Sequence, residues 1–481
     1  MTDTSVGAPE YPDLEFAPDV MRAMGHAVVD RSVAHIAAIN DQPARGDIDA
    51  AELCRVLREG VPEAPTELEP LLDLLFERLI SRSFTTTGPG YLAYIPGGGV
   101  YPAALADFIA DVTNRYTGVW TAAPALIQLE ANALEWLREW MQFPVGTAGL
   151  FTTGGSMATF NAILCARERY LGTELRQGTL YTSTQGHHCI AKAAKLAGIF
   201  HDRVRTIAVD GDFRMRVDAL SAAIDEDRRR GLRPFLVASS AGTTNTGAVD
   251  PLDAIADVCA EQGLWHHVDG AYGAFFNLPD ATRPILHGMS RGDSLTLDPH
   301  KGMFLPYGTG ALLVRDGEAL RQVHAATAGY LPPNQSEFYD PAQYGPELSR
   351  GFPGLRVWMA IKMYGTTGYR GALAEKRALA VWAAEQVARI PGVVIDAAPQ
   401  LSLFAFHLEG DGLTTLEARN EATERLVERV TARGRVMITG CTVDGRFLAR
   451  ICVLSFRTHR AHMEACVADV SEVAATILSG A

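Results

Sequence analysis

The stretch Ser294-Leu295-Thr296-Leu297-Asp298-Pro299-His300-Lys301-Gly302 sets a short apolar strand directly ahead of a lysine. In an α/β sheet, ligands bind beside the loops that leave the carboxyl edge, and a lysine at a strand end sits there. Desolvation at such a place disfavours the ammonium form and leaves an amine able to attack a carbonyl. For an isolated His-Lys pair the alternative is an exposed turn lysine, so the surrounding chain decides. Upstream, Leu264-Trp265-His266-His267-Val268-Asp269-Gly270-Ala271-Tyr272-Gly273 is a second apolar strand that ends in an acid followed by small residues. A carboxylate at a buried strand end is costly unless it meets a positive charge. A protonated pyridine nitrogen is one such partner, and Gly270 and Ala271 would let a flat ring approach the backbone. The rival reading makes Asp269 a helix cap or turn former.

Farther out, Gly149-Leu150-Phe151-Thr152-Thr153-Gly154-Gly155-Ser156 runs a strand into a glycine turn and then a helix with Met157, Phe160 and Leu164 on one face. Free backbone N–H groups, the Ser156 hydroxyl and a helix N-terminus together suit a phosphate. Glycine turns before helices are common, and the spacing matches neither a P-loop nor a dinucleotide fingerprint. His187 and His188 follow another short strand, where an imidazole can stack on an aromatic ring. Surface or core histidines rank second. Zinc ranks a distant third for the pairs 187/188 and 266/267, since neighbours on an extended segment point to opposite faces. Gly242-Thr243-Thr244-Asn245-Thr246-Gly247 offers hydroxyls to a cofactor substituent, or turn chemistry alone.

These pieces belong to one alternation. Short apolar runs at Gly149–Thr153, Thr179–Thr182, Arg205–Val209, Pro234–Ser239, Leu264–Val268, Ser294–Leu297 and Gly310–Val314 alternate with helical patterns. That alternation predicts an α/β fold with a mostly parallel seven-stranded sheet. An amphipathic helix is expected over Asp19–Ile39 and another over Leu71–Ser81, with little core of their own. Residues 1–85 are therefore expected to pack on the larger domain or on a partner subunit. Helical patterns at Arg356–Tyr364 and Leu373–Ala388 lead to strand candidates Val393–Asp396, Leu401–Leu408 and Ile451–Phe456, which fit a smaller C-terminal α+β domain.

The composition of the 481 residues is ordinary for a globular chain, with 47% hydrophobic and 21% charged residues. A net charge of −13 works against phosphate-backbone attraction, so a nucleic-acid partner is not expected. Seven dispersed cysteines without a CxxC pair read as reduced thiols. Without a signal pattern or a long apolar run, the expectation is a cytoplasmic protein with no membrane partner.

A phosphate cradle, a stacking histidine, an acid for a ring nitrogen and a lysine, in this order, resemble the fold type I pyridoxal-phosphate enzymes. Gly88-Pro-Gly-Tyr-Leu-Ala-Tyr-Ile-Pro, Tyr101-Pro-Ala-Ala-Leu-Ala-Asp, and Trp120-Thr-Ala-Ala-Pro-Ala with Glu130 narrow the likeness. They resemble the group II amino-acid decarboxylases, from about Thr86 through the C-terminal domain. The resemblance implies a homodimer using pyridoxal 5′-phosphate, with a large domain over 86–370 and a small one over 371–481. It implies that Lys301 bonds the cofactor as an imine, that Asp269 partners the pyridinium nitrogen, and that His187 stacks on the ring. It places Gly155, Ser156 and His300 at the phosphate, Thr244 at the ring hydroxyl and Ala271 beneath the ring. Arg450 matches an arginine able to receive the substrate carboxylate, or else a structural ion pair; Tyr94 remains at the substrate cleft. Tyr330 in Gly329-Tyr330-Leu331-Pro332-Pro333 matches the tyrosine of a mobile catalytic loop and is the expected acid, assisted by His187; an ordinary surface tyrosine is the alternative. The implied reaction is decarboxylation of an L-amino acid, with an aromatic or apolar side chain favoured. Aldehyde synthesis, transamination and a silent scaffold are the alternatives. No metal is implied. Gly302, Thr86, Ile95 and Gly97-Gly98-Gly99 stand where the aromatic enzymes carry larger or more polar residues, which implies a roomier pocket. Asp298, where the animal enzymes have asparagine near phosphate, has no evident reason.

Overall fold

The computed structural model describes residues 14–46, 50–325 and 337–480. Its larger sheet contains β1 (Ala148–Thr152), β2 (Gly178–Ser183), β3 (Val204–Ile207), β4 (Arg233–Ser240), β5 (Trp265–Asp269), β6 (Ser294–Leu297) and β7 (Gly310–Val314). The order is β1-β7-β6-β5-β4-β2-β3. β7 runs antiparallel to both neighbours, and the pairings from β6 across to β3 are parallel. Each expected strand is present, with bounds shifted by two residues at most.

Successive residues on these strands point to opposite faces, and both faces are covered, which is why the strands read as continuous apolar runs. Leu150, Leu236, Ala238 and Leu312 pack with the helix Gly155–Tyr170 on one side. There the small residues Ala158, Ala162 and Ala166 are fully buried, while Phe160 and Leu164 are only partly buried. The face expected from Met157, Phe160 and Leu164 is thus not the one pressed deepest, because close helix–sheet approach favours alanine. On the other side Phe151, Val268, Leu295 and Leu313 meet Leu134 and Leu137 of the helix Pro124–Trp140. Tyr181 and Val237 on that same side meet the helices Val217–Arg229 and Leu252–Gln262.

The second sheet holds β8 (Val393–Ala397), β9 (Leu403–Leu408), β10 (Thr439–Val443) and β11 (Arg446–Cys452), all antiparallel in the order β10-β11-β9-β8. Phe404, Phe406 and Ile451 share a core with the helices Leu416–Ala432 and Arg460–Leu478 and with the later part of Pro353–Val387. That last helix breaks at Gly365 (φ 64°, ψ 169°), a left-handed conformation that suits glycine and separates the two expected helical patterns. One strand needs correction. The sequence predicts a strand over Ile451–Phe456, whereas β11 begins at Arg446 and ends at Cys452, and β10 gives no strand signal in the sequence. Two arginines break the apolar pattern of β11, and β10 is a half-exposed edge. Asp444 (φ 48°) and Gly445 (φ 80°) join them in a two-residue hairpin turn.

The N-terminal helix is Pro18–Ala37 and has no buried residue. Val20, Met21, Val28, Val29 and Val33 are all exposed. Arg31 pairs with Asp73 and Glu77 of a later helical stretch, which begins at Leu68 and continues through Arg82. Among the described residues no helix is long and apolar enough to cross a membrane.

Candidate active site

β1, β2, β4, β5 and β6 point the same way, so the loops after them gather at one edge of the sheet. A cleft there is lined by Gly155 and Ser156 after β1, His187 after β2, Thr244 after β4, Asp269 and Ala271 at β5, and Lys301 after β6. Seven sequence-expected residues from five segments thus meet. Cys189, Ser240, Gly242, Thr243 and Tyr272 line it as well. Ser240 is the last residue of β4 and Cys189 stands two after His187. The strand-end rule that singles out Asp269 would have found Ser240.

Gly155 and Ser156 open a 16-residue helix that no side chain caps. Its first N–H groups are therefore free for an anion. Gly154 (φ 151°) makes the turn that precedes it. Asp269 Oδ1 accepts from the Ala271 N–H at 3.1 Å. His187 Nδ1 accepts from the Cys189 N–H at 3.3 Å, which leaves Nε2 to carry the proton of the neutral ring. Burial lowers the His187 pKa, a shift that the nearby Asp269 charge offsets only in part. The Gly242–Gly247 segment is also a turn, closed by the Gly247 N–H on Thr243 O at 2.9 Å.

Lys301 stands on the short helix Pro299–Gly302, its Nζ 2.9 Å from Asp298 Oδ2. The sequence suggests an amine freed by desolvation, and the surroundings reverse that effect. Burial does push the pKa down, but the Asp298 charge and hydrogen bond and the Asp269 charge outweigh it and hold Lys301 above its ordinary value. Asp298 is 2% exposed, and its Oδ1 has no partner.

Three expected residues stand beside the cleft rather than along its lining. His300 Nδ1 donates to Thr309 O at 2.8 Å and its Nε2 lies 3.6 Å from Asp298 Oδ2. Arg450 donates from Nη2 to Tyr94 O (2.9 Å) and Thr244 O (2.6 Å) and from Nη1 to Thr439 Oγ1, while its Nε is buried without a partner. Its guanidinium is engaged with backbone carbonyls, not with an acid. Tyr94 supplies its carbonyl to this contact and leaves its ring half exposed. Tyr330 lies outside the described residues.

The roomier pocket implied at Gly302 and Gly98 is corrected by the packing. A Cβ on Gly302 would fall 2.6 Å from Phe275 Cδ2, in the core and away from the cleft. A Cβ on Gly98 would fall within 2.5 Å of the Phe304 backbone, so this glycine lets two segments touch. His266 and His267 are fully buried in β5. Hydroxyls bond them: Ser239 for His266 (2.8 Å), Ser294 (2.8 Å) and Thr296 (3.3 Å) for His267.

An uncapped helix N-terminus, a carboxylate and a partly buried lysine lining one cleft fit a flat, phosphate-bearing aldehyde with a basic ring nitrogen. Known proteins agree. Residues 51–409 match the model of the pyridoxal-dependent decarboxylase conserved domain. The aromatic-L-amino-acid decarboxylase of Bacillus atrophaeus is 32% identical over 93% of this chain and 94% of its own length. Among solved structures, Oryza sativa TDC with PLP and tryptamine superposes with a TM-score of 0.91 at 26% identity, over 96% of this chain and 100% of that one. Rhodiola rosea 4-hydroxyphenylacetaldehyde synthase does so with 0.89 at 25% identity, over 96% and 99%. Strand order, cleft and family match converge, and the chain belongs to the pyridoxal-dependent decarboxylases, carboxy-lyases that use pyridoxal phosphate to decarboxylate amino acids.

Proposed function

We propose that this decarboxylase acts on an L-amino acid with an aromatic side chain and releases the amine, with Lys301 as the residue that bonds the cofactor. The observation that carries the reading is the position of Lys301 in one cleft with Asp269, His187 and the Gly155–Ser156 helix start. Pyridoxal 5′-phosphate supplies the sink for the electron pair left when carbon dioxide departs. Asp269 presents a fixed negative charge to the ring nitrogen. The N–H groups of Gly155 and Ser156 would hold the phosphate, with His300 close behind. His187 would stack on the ring, Ala271 would support it from beneath, and Thr244 would contact its hydroxyl. Tyr330 delivers the proton that replaces the carboxylate, assisted by His187. Arg450 and Tyr94 would bound the substrate side.

The aromatic preference rests on the relatives named above and on charge. Among the described residues that line the cleft, none besides Lys301 and His187 is basic, which gives a side-chain carboxylate no counter-ion. Residues 1–85, 86–370 and 371–481 are taken as helical segment, cofactor domain and small domain. The exposed apolar residues of Pro18–Ala37, together with Phe108 and Val112 of the helix Tyr101–Thr113, are covered in a homodimer. The unpaired cysteines suit the cytoplasm.

Incubating the holoenzyme with a panel of amino acids, and scoring carbon dioxide, amine, aldehyde and peroxide, tests the reading. Amine from aromatic substrates is expected. Aldehyde with peroxide would favour the second reading, motivated by the likeness to the aldehyde synthase. Borohydride should fix the cofactor to Lys301, and Lys301→Ala should take up none covalently; a label on another lysine would refute the assignment.

A further inference from the structure

Asp298 is the acid that the family likeness leaves without a reason, and its surroundings supply one. It caps β6 just ahead of Lys301, is almost wholly buried, and places Oδ2 2.9 Å from Lys301 Nζ. The same oxygen lies 3.1 Å from where a Cβ would stand on Gly155, so the carboxylate faces the start of the uncapped helix. Its other oxygen has no hydrogen-bond partner. Two charges of this pair therefore stand in the way of loading. An ammonium has no lone pair with which to attack an aldehyde, and a carboxylate repels an incoming phosphate.

We propose that Asp298 is the positioning residue that gates cofactor loading, by exchanging one proton with Lys301. The proton passes from Lys301 Nζ to Asp298 Oδ2, giving a neutral amine and a neutral carboxyl. The amine nitrogen then forms a bond to the aldehyde carbon, the carbonyl oxygen leaves as water, and the phosphate meets an uncharged neighbour. One transfer removes both obstacles. This rests on Lys301 being the lysine that bonds the cofactor. The groups facing the pair are His300 on the same segment, Asp269 from β5, His187 and Cys189 after β2, Cys452 of β11, and Arg356 from the long helix. Asp269 is the other acid among them, and it is occupied by the Ala271 N–H.

The test reloads the full-length protein, after removal of its cofactor, with pyridoxal phosphate or with pyridoxal, and follows the absorbance of the bound chromophore against pH. In Asp298→Asn the ammonium loses its counter-ion, so the midpoint of the loading rate should move down by about one pH unit or more, about tenfold in rate below the midpoint. This shift should appear with both aldehydes. The preference for the phosphorylated aldehyde over pyridoxal should stay within about twofold, because the transferred proton already leaves the phosphate an uncharged neighbour in the wild type. An unmoved midpoint, or a preference that rises about tenfold, overturns the proposal. Asp298→Ala removes the same charge with a smaller side chain and must shift the midpoint in the same direction. Borohydride labelling of wild type away from Lys301 would overturn the reading beneath the proposal, and so is separable from a failure of the gate itself.

Discussion

Asp269 ends β5 with its carboxylate in the cleft, where a single backbone N–H satisfies one of its oxygens. A hydrogen bond to a charged partner is worth about 1.5–3 kcal/mol, roughly ten- to a hundredfold in rate if it is made in the transition state. Asp269→Asn should lower kcat by about that factor or more with a smaller change in KM, measured on whichever aromatic substrate the panel selects; an unaltered kcat would remove Asp269 from the ring nitrogen. Cys189 lines the same cleft, but burial pushes its thiol up to about 12, so at neutral pH it stays a thiol and Cys189→Ser should keep catalysis within about twofold. Lys301, Asp269, His187, Ser156 and Thr244 are legible in the sequence because each is a chemically distinctive residue just beyond an apolar run. The Asp298–Lys301 contact is not. It depends on the four-residue helix Pro299–Gly302, which brings Lys301 back over Asp298 and is too short to leave any periodicity.

The large-sheet strands are legible because both their faces are buried, so helical patterns and apolar runs alternate cleanly. β11 is harder to read, since the buried Arg450 sits in its middle and carries a polar contact through an apolar sheet. Its clearest signal is local, the Asp444–Gly445 pair of a tight hairpin. The glycines are the other weakness of reading elements from residues, because a missing side chain looks like an opened pocket. Gly302→Ala distinguishes the two meanings: its new Cβ meets Phe275, which is fully buried, and overpacking of this kind costs about 1–3 kcal/mol. Its urea midpoint should fall accordingly, with no change in the ranking of amino-acid substrates. Gly98→Ala should be worse, because the clash falls on the Phe304 backbone, which cannot swing aside as a side chain end can. A Gly302→Ala protein of wild-type stability that accepts different substrates would restore Gly302 to the pocket wall.

At the scale of the whole molecule, buried titratable groups set how stability follows pH. His266 and His267 are held neutral in β5, their pKa values pushed down by burial to about 3. The unfolded chain binds their protons near the ordinary histidine value of about 6.5, so their contribution is complete above that pH and is lost as pH falls toward 3. Each alone contributes a slope of about 1.4 kcal/mol per pH unit within that window. Asp250 opposes them. Burial lifts its pKa to about 6 despite N–H bonds from Met215 and Ser240, so the folded state keeps a proton the unfolded state loses, and stability falls as pH rises from about 4 to 6. Among these three groups alone, two histidines against one acid leave a loss of stability on acidification between about 6 and 4, of about 1.4 kcal/mol per unit; His324, which burial lowers to about 4, adds to it, while burial raises Glu130, Asp293 and Asp340 in opposition. Nearer pH 4 and below, Asp210, Asp227 and Asp253 add to the loss. Burial raises each of them, but the arginines bound to them outweigh it and hold them low. Urea unfolding at pH 7, 6 and 5 should therefore show a falling midpoint at constant slope. Asp250→Asn should steepen that fall, because it removes the opposing group, whereas His267→Asn should flatten it. A midpoint that holds steady or rises from pH 6.5 to 5 would mean that the β5 histidines are not neutral passengers of the sheet.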